Sequence, residues 1–189
     1  MGHGRGWVFT PGDFLDLGSR AAVGTTLKRL KAAGTIRAIA RGLYDYPRQD
    51  PALGLLTPST DTIADALKGR DDLRLQPSGA HAANLLGLSD QVPVRTVFLT
   101  NGRARKVQLG KRQIILKTAS SRQMATAGRV SGLVIQALRW LGRRNVNSTT
   151  IDLLRQRLTA PDKQQLRKDL RYAPAWVAEI MRQVAQSTP

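Results

Sequence analysis

Ser19, Arg20, Thr25, Lys28, Arg29 and Lys31 recur at helical spacing around the apolar positions Val23, Leu27 and Leu30, and Arg37 and Arg41 follow shortly after. Guanidinium and ammonium groups neutralise phosphates, hydroxyls donate to phosphate oxygens, and forked donors read base edges in a major groove. This residue set is suited to contact with a nucleic acid. Ser19, Arg20, Thr25, Lys28 and Arg29 would act from a helix, and Arg37 and Arg41 would arm a hairpin. An amphipathic helix and hairpin whose charges are merely solvated carry the same pattern.

Acid–base and metal chemistry find little material. The chain has no cysteine, two histidines (His3 and His81) and one glutamate, Glu179. Without cysteine there are no disulfides, thiolate metal sites or zinc fingers. Asp71 and Asp72 are adjacent, so on a helix or strand their carboxylates diverge; they read as a solvated loop. His81, within SGAHAAN, has no acid or nucleophile fixed beside it and reads as a surface or packing histidine. GHGRG at 2–6 lacks the preceding strand and following GK[ST] of a phosphate loop. Trp7, Trp140 and Trp176 lie far apart and read as core side chains, not as a base-stacking platform. No enzymatic activity, cofactor or metal is expected.

The elements that would position the basic set begin at Thr10-Pro11, a helix start in which threonine can cap free amides and proline costs nothing in the first turn. A short helix carrying Phe14, Leu15 and Leu17 is expected, then a turn at Gly18-Ser19 and a second helix from Arg20 to the Ala33-Gly34 region. TIRAI and GLYDY are rich in strand formers and flank Ala40, Arg41 and Gly42, which reads as a hairpin. Helix, tight turn, basic helix and hairpin in this order predict a winged helix-turn-helix, with the second helix as the recognition element.

Charge agrees with a polyanionic partner: 30 Lys and Arg against 13 Asp and Glu leave a net +17. The excess runs along the whole chain, with 8 basic and 4 acidic residues in 1–57, 11 and 5 in 58–125, and 11 and 4 in 126–189. No apolar run is long enough to span a membrane, and the N-terminus lacks the apolar core of a signal peptide, so a soluble, cytoplasmic chain without membrane contact is expected.

The expected fold class is α+β. Residues 1–48 form the winged helix-turn-helix, and 49–59, with prolines 51 and 58, a linker. Residues 60–125 form a small α+β domain with an antiparallel sheet, and 126–189 a helical C-terminal subdomain. In the third segment a helix over TDTIADALKG is capped by Thr60 or Asp61, and SGAHAANLLGL by Ser78. LRLQP, RTVFLT, RKVQLG and RQIILKT are strands, with Asn101-Gly102 a hairpin turn and another turn near Gly110-Lys111. In the last segment Thr149, Asp162 and prolines 161 and 174 mark helix starts. Arginines 139, 143, 144, 155, 157, 167 and 171 fall largely on exposed faces.

RGLYDYP at 41–47, the run PSGAHAANLLGLSDQVPVRTVFLTNG at 77–102 and GWVFTPGDF at 6–14 resemble the AbiEi-type antitoxins of bacterial type IV toxin–antitoxin systems, over roughly residues 6–145. The resemblance implies a winged-helix domain that binds inverted repeats in the system's own promoter, and a second domain needed for antidote activity. The implied functional partner is a nucleotidyltransferase-like toxin whose effect is opposed without need of a stable complex. A transcriptional autorepressor on duplex operator DNA is therefore expected, as a possible homodimer because inverted repeats present two half-sites. The alternatives are a module that binds the toxin directly and an RNA-binding protein, against which the 5% aromatic content weighs. Only six residues precede Trp7, where winged helices of this family usually carry a further helix. A core lacking it would expose Phe14 and Val23 and leave residues 1–57 poorly stable alone.

Overall fold

In the computed structural model, which describes residues 3–69, 73–91 and 93–186, strand β1 (Val8–Phe9) leads into one turn of 3-10 helix at Pro11–Phe14 and then helix α1 (Arg20–Ala32). The Thr10 amide and hydroxyl both donate to Asp13 Oδ2, at 2.7 and 3.0 Å, which fixes the entry to the short turn. The short helix expected to carry Phe14, Leu15 and Leu17 ends at Phe14. Leu15 N bonds Gly12 O and Leu17 N bonds Phe14 O, an i to i+3 pattern that leaves Leu15 43% and Leu17 79% exposed. Strands β2 (Arg37–Ala40) and β3 (Leu43–Asp45) form the expected hairpin, and β1 joins it in a three-stranded antiparallel sheet of order β1-β3-β2.

Phe9, Val23, Leu27 and Ile36 make the core beneath this sheet, with Trp7, Phe14, Leu30, Tyr44 and Tyr46 packed around it. The Phe9 and Phe14 rings meet edge to face at 5.3 Å, and Trp7 lies 4.6 Å from Phe9. The expectation that Phe14 and Val23 stand bare is corrected: Val23 is 8% exposed and Phe14 is half-buried in the aromatic cluster. An apolar cleft of about 370 Å³ opens beside this core, lined among others by Trp7, Phe14, Leu17, Val23 and Leu30.

The segment expected as a linker holds a two-stranded hairpin, β4 (Gln49–Asp50) with β5 (Gly54–Leu55), turned by Asp50 Oδ1 accepting from the Ala52 and Leu53 amides. Helix α2 (Thr60–Lys68) is capped by Ser59, whose Oγ accepts from Thr62 N at 3.1 Å, and not by Thr60 or Asp61. It buries Ile63, Ala64 and Leu67 and packs on β1.

The chain divides into two compact units, residues 1–73 with 107–111 and residues 74–106 with 112–189. This division places α2 with the first unit, whereas the sequence boundaries group it with the residues that follow. Asp71 and Asp72, read as a solvated loop, lie outside the described residues.

Beyond residue 73 come β6 (Leu75–Ser78), α3 (Ala80–Leu85), β7 (Arg95–Thr100), β8 (Arg105–Leu109) and β9 (Arg112–Thr118). Their sheet has the order β6-β7-β9-β8. β6 and β7 are antiparallel, as expected, but β7 and β9 run parallel, in register from Arg95 opposite Gln113 to Thr100 opposite Thr118. Asn101-Gly102 therefore does not close a hairpin between neighbouring strands. A two-residue type I′ turn needs positive φ at both positions, which neither residue has. Instead the pair is stitched sideways: Asn101 Oδ1 accepts from Arg74 N at 2.8 Å, and Thr118 Oγ1 donates to Gly102 O at 2.8 Å.

The remaining elements are α4 (Ser121–Met124), α5 (Val130–Leu141), α6 (Ser148–Arg157), α7 (Ala160–Asp169) and α8 (Ala175–Ala185). α5 is buried almost all round, from Ser131 to Leu138 excepting Leu133, and is the centre of a core that includes Leu154, Leu166, Val177 and Met181. Pro174 immediately precedes α8 and Pro161 lies in the first turn of α7, as expected, while the other starts shift by a residue or more: Gly79 precedes α3, Asn147 caps α6, and Thr159 caps α7 with Asp162 as its reciprocal partner. Asp169, 2% exposed, accepts from Ser131 Oγ at 2.5 Å, Gln165 Nε2 at 2.8 Å and Arg129 Nη1 at 2.9 Å, tying α5 to α7. Among the described residues no helix is long and apolar enough to cross a membrane.

Candidate nucleic-acid interface

Helix α1 exposes its polar side because only Val23 and Leu27, one turn apart, are buried. Arg20, Thr25, Lys28, Arg29 and Lys31 are all exposed around the remaining circumference, and none of the 13 residues is acidic. Ser19 Oγ accepts from Ala22 N at 3.3 Å, so its hydroxyl caps the helix. The sequence reading passed over Gly24. It sits mid-helix, where glycine costs roughly 1 kcal/mol relative to alanine, and no atom lies within 4 Å of the position its Cβ would take. A bare backbone on an exposed helix face permits close approach by whatever docks there.

Arg37 and Arg41, both assigned to the wing, separate. Arg41 is exposed at the turn between β2 and β3. Arg37 is committed internally: Nε donates to Asp45 Oδ1 at 3.0 Å, and Nη2 donates to Asp45 Oδ2 at 2.5 Å and to Leu56 O at 2.8 Å. Asp45 is 1% exposed and stands directly across the hairpin from Arg37. The hydrogen bond to Asp45 raises the Arg37 pKa against the opposing effect of burial. Arg37 thus fixes the hairpin and the start of the following segment, with Nε and Nη2 already engaged inside the unit.

The basic excess is unevenly divided between the units. Residues 1–73 with 107–111 hold 11 Lys and Arg against 8 Asp and Glu; residues 74–106 with 112–189 hold 19 against 5. Four of those five carboxylates are engaged: Asp152 with Arg155, Asp162 with the Thr159 cap, Asp169 in its buried network and Glu179 with Arg182. Some of the expected exposed arginines also have internal partners. Arg155 donates to Gln183 O at 3.0 Å, Arg167 donates to Ala185 O, and Arg171 stacks over the Tyr172 ring at 5.1 Å.

His81 is 8% exposed with its ring edge-on to Phe98 at 5.3 Å, the packing role. Among the described residues no three His, Asp or Glu side chains are grouped so as to hold a metal ion. Trp7 and Trp176 pack on the cores of their units. Trp140, expected in the core, is instead 43% exposed, because it follows the last fully buried position of α5.

A family model described as a family of unknown function, DUF6088, matches residues 2–166, and the chain belongs to that family. No curated protein and no solved structure matches it.

Proposed function

We propose that this chain is an operator-binding autorepressor of antitoxin type. α1 would enter the major groove of an inverted-repeat site upstream of its own gene, and Arg41 on the β2–β3 wing would meet the adjacent phosphates. The observation that carries the reading is the exposed face of α1: four cations, Thr25 and an open glycine, with no carboxylate in the helix. The order β1, short turn, α1, β2, β3 with sheet order β1-β3-β2 supports a winged helix-turn-helix reading. Ser19, Arg20, Thr25, Lys28 and Arg29 remain the recognition set, and Arg37 leaves the interface. The antidote role, opposed to a nucleotidyltransferase-like toxin, rests on the resemblance of residues 41–47 and 77–102 to AbiEi-type antitoxins.

Anisotropy titration of the full chain against its own upstream promoter duplex and a scrambled duplex, each at two salt concentrations, tests this. A preference of about a thousandfold or more that survives added salt is expected of an operator-specific repressor. Arg41→Ala is expected to weaken binding to both duplexes and lower the salt slope by about one unit, the loss of one phosphate contact. Equal affinities for the two duplexes that collapse together with salt would reject operator recognition.

A further inference from the structure

We infer that the C-terminal end of α5 is a second nucleic-acid contact, specific for single strands, in which the Trp140 indole stacks on an unpaired base while Arg139, Arg143 and Arg144 hold the flanking phosphates. Independent of the operator reading, it rests on a different unit of the chain.

Trp140 breaks the pattern of its own helix. Val134, Ile135, Ala137 and Leu138 are at most 4% exposed, whereas Trp140 keeps 43% of its surface open. The indole is nevertheless backed. A Cβ placed on Gly79 would lie 3.6 Å from Trp140 Cδ1, ordinary contact distance, so the ring rests beside the bare backbone of Gly79. Large, flat, set beside Gly79 at its Cδ1 atom and 43% exposed, it offers surface on which a base can stack.

Its neighbours supply the charge. Arg139, Arg143 and Arg144 are exposed, the last two on the 3-10 turn that follows Gly142. Among the described residues none of the three has an ion-pair partner, and four of the five carboxylates in this unit are engaged elsewhere. A lone exposed tryptophan would fit many apolar partners; three exposed guanidiniums within five residues of it, without an ion-pair partner among the described residues, narrow the choice to a polyanion that also offers a π-face. A duplex buries its base faces in the stack. A single strand presents them, and its phosphates flank each base.

The test uses the full chain and three labelled 12-mers of equal phosphate number: oligo-deoxyuridine, oligouridine and an abasic strand. Loss of one base–aromatic stack corresponds to about a five- to hundredfold change in affinity. The wild-type chain should therefore bind the base-bearing strands tighter than the abasic strand by about that factor. Trp140→Ala should abolish the difference, and Trp140→Phe should keep part of it. Arg143→Ala with Arg144→Ala should weaken all three strands and reduce the salt slope by about 1.4, two single-strand phosphate contacts. Tighter binding of oligouridine than oligo-deoxyuridine would add the 2′-hydroxyl to what is read; equal binding would assign any single strand. Equal wild-type affinity for base-bearing and abasic strands overturns the proposal whether or not the variants fold. So does a base preference that Trp140→Ala leaves intact. Promoter-duplex affinity of Trp140→Ala, expected unchanged, keeps this result separate from the operator experiment.

Discussion

Arg37→Ala asks whether an arginine that sequence pattern assigns to phosphate contact is instead a structural clamp. The variant would leave Asp45, 1% exposed, without its bidentate partner and would also remove the bond to Leu56 O. Breaking a buried pair by deleting one member costs about 3–5 kcal/mol, because the surviving charge stays desolvated. The Arg37 side chain is 33% exposed, so solvent already screens part of the pair, and the lower end, about 3 kcal/mol, is the appropriate figure. That is roughly a hundredfold in the folding equilibrium of the first unit. For a urea m-value of about 1–2 kcal/mol/M it is a midpoint shift of about 1.5–3 M. The assay is urea titration of the full chain with amide exchange followed at residues 37–45, since two units need not unfold together. Replacing both partners with apolar residues, Arg37→Met with Asp45→Leu, is expected to recover most of the loss. If Arg37→Ala costs under about 0.5 kcal/mol and lowers the operator salt slope, the clamp reasoning is refuted and Arg37 returns to the interface.

Gly132→Ala should destabilise the second unit by about 1–3 kcal/mol, because the new Cβ would sit 2.4 Å from the Thr126 backbone oxygen and 2.6 Å from Gln76 Oε1, and backbone cannot yield as a side-chain tip can. A melting temperature within about 1 °C of wild type would show that the site has slack. The Asp169 carboxyl is pushed up by burial, but hydrogen bonds from Ser131, Gln165 and Arg129, with the Arg129 charge, outweigh this and hold it below its ordinary value. A depressed folded pKa means that its stabilisation is complete above about pH 4, the unfolded value, and is lost as pH falls through the lower folded value. Calorimetry from pH 6 down to pH 2 should show that loss in the wild type and a shallower acid limb in Asp169→Asn; identical limbs would remove Asp169 from the acid transition.

What was legible followed from local pattern. α1 was readable because Ser19 is a good cap and Val23, Leu27 and Leu30 repeat one turn apart, and the β2–β3 hairpin because strand formers flank a glycine. The short turn at Pro11–Phe14 was overextended, since Leu15 and Leu17 look like the rest of an apolar face but the i to i+3 bonds swing them outward. The β7–β9 pairing was out of reach: a parallel neighbour is chosen by long-range packing, while Asn101-Gly102 sends a strong local signal for the wrong partner. Arg37 could have been found. Opposite charges at 37 and 45, equally placed about the hairpin loop, are a cross-strand pair. At α1 most proposed contacts sit on exposed positions, yet pattern alone could not tell a face kept open from one simply left wet. Gly24 was the cue that went unread. Trp140 was misplaced because its helix is otherwise apolar; only the geometry of the helix end puts it outside.

The three tryptophans stand in three different surroundings: Trp7 in the aromatic cluster of the first unit, Trp176 against the core of the second, and Trp140 open to water. The molecule thus carries its own optical labels. With the other two indoles replaced by phenylalanine, the emission colour of the one left would follow the melting of one unit, the melting of the other, or the occupancy of the α5 end. Those events could then be timed separately in a chain that, having no cysteine, would otherwise need a dye attachment point engineered into it.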